Sequence, residues 1–297
     1  MNSTNKQGAL LAVTAFILWG LAPIYFKLLQ HVPSVEILMF RVVWSTLLLI
    51  AIIAATKHWR SMLKIVKSKR SVAILVGSST LLAFNWWLFI WAVNNDHILD
   101  ASLGYYINPL LNVALGMVFL GERLSKLQYV AVGLAVSGVI IQLITFGSFP
   151  VIAFSLACSF AIYGLIRKTV SIDSVPGLTF ESLLLLIPAV IYWWLFAASP
   201  ESNLLNNSLS TNLLIISAGI VTTAPLLCFV AASKRLAYST LGFFQYIGPS
   251  IMFLIGTFYY QEQMGQDRWL TFSFIWSALA IFSYASYRKA QKAKAIP

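Results

Sequence analysis

ASLGYYINPLLNVALGMVFLGER, residues 101–123, and TLGFFQYIGPSIMF, residues 240–253, are two versions of one pattern. In the first, SLGYY (102–106) leads to Pro109 and then to Glu122. In the second, TLGFF (240–244) leads to Pro249 and then to Glu262. Thirteen positions separate proline from glutamate in both. Working outward, Trp19-Gly20-Leu21 parallels Tyr163-Gly164-Leu165, and Glu36 parallels Glu181. The matches keep their order at offsets of 138 to 145 residues. We therefore read two related halves, 1–146 and 147–297, the second ending in a short basic tail.

Both halves are apolar. The 297 residues are 59% hydrophobic and 10% charged, where a soluble domain carries about 25% charged residues. Mean hydropathy is +0.82. So few charges cannot cover a water-facing surface, which excludes a soluble enzyme. A helix crossing a bilayer needs about 20 mostly apolar residues. Ten such runs are present, near 8–28, 34–56, 71–94, 101–120, 126–146, 148–167, 177–198, 211–233, 239–260 and 268–287. The first run is expected to be a span rather than a signal peptide, being long, lacking a small-residue cleavage site and holding Trp19 and Pro23. The fold expected is an all-α polytopic membrane protein.

The net charge of +11 is explained by position. With Lys6 placed in the cytoplasm, seventeen of the twenty basic residues fall on that side of alternating connections. They include Lys57, Arg60, Lys64, Lys67, Lys69 and Arg70 in the second connection, then Arg123/Lys126, Arg167/Lys168, Lys234/Arg235 and the tail. This is the positive-inside pattern, so nucleic acid is not needed as a partner, and both termini are expected in the cytoplasm. Each half carries five spans, an odd number. The second half must then enter from the opposite side, giving inverted repeats, a plan common to secondary transporters.

The segments WGLAPIYFK (19–27), EILMFRVVWS (36–45), NWWLFIWAVNN (85–95), 101–123 and 240–253 carry a resemblance over nearly the whole chain. The sequence resembles the drug/metabolite transporter superfamily, EamA-type, in its RarD (chloramphenicol-sensitive protein) branch. One departure is Phe40, where the pattern leads us to expect histidine before the arginine of the second span. The resemblance implies ten helices in a five-plus-five arrangement in the bacterial cytoplasmic (inner) membrane. It also implies transport of small metabolites or drugs, usually export.

Ionisable groups in a bilayer are costly and mark functional sites. Arg41 stands about 10 Å down the second span from Ser34. Glu36 lies roughly 140° around that helix from it, so Arg41 needs an anion from another helix, a cavity or a substrate. We expect it to attract a carboxylate. Glu36 and Glu181 are expected in the first turns of their helices, either serving the helix dipole or acting as proton-carrying or gating carboxylates. Glu122 and Glu262 are expected to be mainly structural. Tyr105, Asn108 and Asn112 share one helical face. With Asn85, Tyr163 and Gln245, they are expected to face inward, lining a pathway or bonding helix to helix. Trp19, Trp86 and Trp87 are candidates for stacking on substrate. Pro109 and Pro249 are expected to make matched bends that open a cavity or act as hinges.

No GxSxG, HExxH or P-loop motif occurs, and His31, His58 and His97 have no ligand spacing, so no enzyme, metal site, cofactor or intrinsic ATP drive is expected. Cys158 and Cys228 sit in apolar runs and are expected to be packing residues. The function expected is a secondary transporter working by alternating access, with a channel or lipid scramblase of the same architecture as the alternative. Its partners are a small-molecule substrate and the lipid bilayer. Whether it works as a monomer or a homodimer stays open.

Overall fold

The computed structural model describes residues 3–95, 97–147, 149–261 and 265–292. It is all-helical over those residues, with ten helices long and apolar enough to cross a membrane. In lipid every backbone N–H and C=O must bond internally, which a continuous helix achieves. The helices are α1 (Ser3–Leu28), α2 (Ser34–Thr56), α3 (Trp59–Lys67), α4 (Lys69–Asn94), α5 (Ile98–Leu120), α6 (Lys126–Phe146), α7 (Val151–Thr169), α8 (Ser174–Phe196), α9 (Leu209–Ser233), α10 (Tyr238–Gln245), α11 (Ile247–Leu254) and α12 (Gln266–Lys292). The repeat-related Glu262 lies outside the described residues.

Local chemistry sets the ends. Ser125 and Gln128 form a reciprocal capping box at the start of α6. Gly121 closes α5 at φ +63° and Gly147 closes α6 at φ +76°, the left-handed conformation that glycine adopts without strain.

Two features depart from the sequence expectation. The second connection is not a plain loop but holds α3, a nine-residue helix. The two proline-bearing spans also differ from each other. Pro109 lies inside an unbroken α5, whereas the ninth span is divided at Tyr246 into α10 and α11 and ends in a π-helical turn, Ile255–Tyr259. Each proline withholds one backbone donor from the carbonyl four residues earlier. Around Pro109 the helix is clamped on both sides. Asn108 donates to the Ala157 carbonyl of α7 (2.9 Å) and Asn112 donates to Gln245 of α10 (2.5 Å).

The halves do not form separate cores. Every extensive helix contact joins one half to the other: α6 with α12, α5 with α7 and α10, α2 with α8 and α9, α1 with α9 and α11, α4 with α7 and α8. One core cluster runs from Ala12, Phe16 and Leu49 to Tyr163, Phe229 and Leu241. At the α2–α9 contact a Cβ on Gly219 would stand 2.6 Å from the carbonyl carbon of Trp44. Gly219→Ala is expected to destabilise the protein by about 1–3 kcal/mol through overpacking. Gly133→Ala, with open space around it, should be neutral or slightly stabilising. Melting in detergent checks the pair, and equal shifts would remove close helix approach as the cause.

Candidate functional site

Arg41 projects from α2 into a niche formed by five helices. Its Nε donates to Thr222 Oγ1 of α9 at 2.9 Å. Its guanidinium carbon lies 5.2 Å from the Trp86 ring centre on α4 and 5.4 Å from that of Phe26 on α1. Tyr25 of α1 and Tyr105 of α5 stand within electrostatic range. Tyr25 is itself held by donating to the Leu214 carbonyl at 2.7 Å. Among the described residues no carboxylate is within ion-pair distance of Arg41. The niche therefore holds a half-buried cation with aromatic walls and no counter-ion. A guanidinium of this kind matches a carboxylate bidentately, and the rings can stack on an apolar or aromatic body.

Phe40, the departure from the family pattern, points elsewhere. It is buried among apolar residues with its ring 5.9 Å from that of Trp193.

From Trp86 and Thr222 a narrow crevice leads past Ser45 and Thr223 to Glu181. Its free space, about 10 Å³, has room for one water molecule. At its far end Glu181 accepts from Ser78 of α4 (2.5 Å) and from Tyr163 of α7 (3.3 Å). Arg167 Nη1 is 3.7 Å from Glu181 Oε1, with both side chains fully buried. Glu181 is not in a first turn, because α8 begins at Ser174, so the helix dipole does not explain it. Arg167, counted in the sequence among the basic residues of one side, is a fully buried partner of Glu181. Its Nε and Nη1 have no hydrogen bond, and its guanidinium lies against Gly177, where a Cβ would collide with it. Lys168 and Lys234 are likewise tied down. Lys168 donates to the Ser233 and Leu236 carbonyls (2.8 and 2.5 Å), and Lys234 to that of Ile172. Burial, then the Arg167 charge, push the Lys234 ammonium below its ordinary value; Asp173 opposes and Arg235 adds to the shift.

The remaining candidates are dispersed. Asn85 donates to the Leu156 carbonyl and Ser159 Oγ of α7 (2.8 and 2.9 Å), and Asn108, Asn112 and Gln245 bond helix to helix as described. These amides bond helix to helix, one of the two roles expected for them. Trp19 is partly buried and packs among Phe16, Phe160 and Phe229. Glu36 is in the first turn of α2, as expected. Its carboxylate accepts from the Ala198 and Ser199 amides (3.2 and 3.1 Å) and from the Ser199 hydroxyl. Glu122 does the same for Tyr238 and Ser239, whose amides begin α10 (2.5 and 2.9 Å). Both act as staples between the halves.

The structure thus brings Tyr163 and Glu181 together, whereas Tyr105 is 44% exposed and has only a longer-range electrostatic relation to Arg41. Sequence reading missed Phe26, Thr222, Ser78 and Arg167. Only Arg167 left a trace, standing one helical turn after Tyr163.

Comparison with known proteins comes to the same architecture. Residues 6–144 match the family described as "EamA-like transporter family". The chain is 53% identical to a Salmonella typhimurium protein named "Protein RarD", over 94% of this chain and 95% of that one. It is 52% identical to an "Uncharacterized transporter" of Vibrio cholerae, over 94% and 92%. A solved crystal structure superposes with a TM-score of 0.73, covering 93% of this chain and 97% of the other; at 17% identity that likeness speaks for the fold.

Proposed function

Because the chain belongs to the EamA-like transporter family, in its RarD branch, and is a multi-pass membrane transporter of the bacterial inner membrane, we propose that it exports small amino-acid-like or chloramphenicol-like molecules. It does so as a secondary carrier, by alternating access, and not as a channel or scramblase. The observation that carries this reading is Arg41, a cation without a counter-ion among the described residues, walled by Phe26 and Trp86 at the junction of both halves. A substrate carboxylate or other anionic group completes the niche, and the aromatic rings take its apolar body. The one-water crevice toward Glu181 supports a carrier, since an open pore would need a continuous wet path. The matched packing of α5 on α7 and of α11 on α1 supports inverted repeats that exchange conformations. In this reading Glu181, with Arg167 and Tyr163, is the gating or proton-carrying carboxylate.

The test is counterflow in proteoliposomes across a panel of amino acids, small carboxylates and chloramphenicol. Saturable uptake stimulated by the same compound inside is expected for at least one anionic or zwitterionic member. Flux that rises linearly with gradient and shows no counterflow would replace the carrier by a channel. The orientation has its own check. In a cysteine-free background, Lys64→Cys should label only from the cytoplasmic face with a membrane-impermeant maleimide. Labelling from outside would invert the topology.

A further inference from the structure

The stretch from Lys57 to Arg70 holds six cations, Lys57, Arg60, Lys64, Lys67, Lys69 and Arg70, and no acidic residue. All six are exposed. Marking one membrane face requires only that these charges be present in a connection. It does not require the form they take. On α3 the residues sort into three faces at ~100° per residue. Met62 and Ile65 turn inward and pack with Ile53, Leu75 and Ile172. Arg60, Lys64 and Lys67 lie roughly opposite that face. Trp59, Leu63 and Val66 fall on a stripe between the two, and they stay 49%, 57% and 56% exposed although they are large and apolar. A helix that rests on its own protein by one face does not need a second apolar face. In water that second face would be a liability.

We propose that α3 is an interfacial helix whose exposed faces form a binding site for anionic phospholipid. Trp59, Leu63 and Val66 enter the acyl boundary, and Arg60, Lys64 and Lys67 meet the headgroup phosphates. Lys57, Lys69 and Arg70 extend the cationic surface at either end. An amphipathic helix with a basic polar face and a Trp/Leu apolar face binds the membrane interface in this way. Basic residues beside a bilayer surface favour anionic lipid. The site is placed where lipid can act on the transporter, because α3 packs on α4 and α8, which carry Ser78 and Glu181.

The test uses purified full-length protein in phosphatidylcholine vesicles containing brominated phosphatidylglycerol or, separately, brominated phosphatidylcholine at equal mole fraction. Tryptophan quenching is read in the wild type and in Trp59→Phe, so the difference isolates Trp59 among the ten tryptophans. The expected result is a roughly fivefold preference of the Trp59 signal for brominated phosphatidylglycerol. That preference should collapse toward unity in Arg60→Gln/Lys64→Gln/Lys67→Gln, whose substituted side chains are exposed and carry no packing. Equal quenching by both lipids in the wild type would overturn the proposal, leaving ordinary annular lipid. Absence of Trp59 quenching by either lipid would also overturn it, showing that a second copy or another protein covers the face. The quenching is indifferent to which side α3 occupies, and transport plays no part in it. Its failure is therefore distinct from failure of the topology or carrier readings.

Discussion

Arg167→Ala will destabilise the protein by about 3–5 kcal/mol, the cost of leaving a buried ion without its partner. In the wild type Arg167 and Glu181 are both shut off from solvent, 3.7 Å apart, on α7 and α8. Without the guanidinium, Glu181 keeps only the hydroxyl donors of Ser78 and Tyr163. Glu181→Gln strands Arg167 in turn, which already has unbonded nitrogens. The double variant Arg167→Leu/Glu181→Leu removes both charges, and replacing a buried pair by apolar groups is often neutral or stabilising. It should recover most of the melting temperature lost by either single variant. The role proposed for Glu181 adds a second readout, since the double variant should melt normally and still fail in counterflow. Normal counterflow would make the pair a packing device. Double-variant stability equal to the sum of the single losses would mean that the two charges do not interact.

Arg41→Ala will leave the fold intact and raise the concentration needed for half-maximal counterflow roughly tenfold to a hundredfold. Charge-assisted hydrogen bonds contribute about 1.5–3 kcal/mol each when a partner is present. Arg41 has no carboxylate to strand within the described residues. Among the described residues its side-chain hydrogen bond goes to Thr222, a neutral hydroxyl. Its removal is therefore felt by the substrate and not by the fold. Arg41→Lys keeps the charge but loses the planar fork that matches a carboxylate, so an intermediate loss is expected. An unchanged half-saturation in Arg41→Ala at normal expression would remove the binding role. A lowered melting temperature would make Arg41 structural.

Most of the fold was legible because the bilayer simplifies it. Apolar length marks a span and basic connections mark a side. The spans read from sequence correspond to the ten membrane-length helices of the structure. The α3 helix was overlooked because its charges were read for sign and not for period, although Met62 and Ile65 already mark a buried face. The site was only partly legible. Arg41 could be singled out because a cation on an apolar helix is costly whatever surrounds it. Its niche could not, since Phe26, Trp86 and Thr222 are ordinary residues until three helices bring them together.

Lys and Arg beside an apolar run mean one thing to a sequence reader and several things in a folded protein. Arg167 and Lys168 are adjacent in the chain, and both looked like markers of one face. Helical rotation of about 100° sends neighbours in different directions, so Arg167 is buried against Glu181 while Lys168 caps the Ser233 carbonyl that ends α9 and the Leu236 carbonyl just beyond it. The same holds for the prolines. Pro109 and Pro249 each remove one backbone hydrogen bond, but the fourth span is one unbroken helix and the ninth is divided at Tyr246. By itself the sequence determined what enters the membrane, how many times, and where charge is expensive, all consequences of transfer from water to lipid. Tertiary structure decided which of those charges have partners, which proline-bearing span is divided, and which aromatic rings meet Arg41. Those depend on contacts between helices up to about two hundred residues apart, a distance at which local sequence carries no directional information.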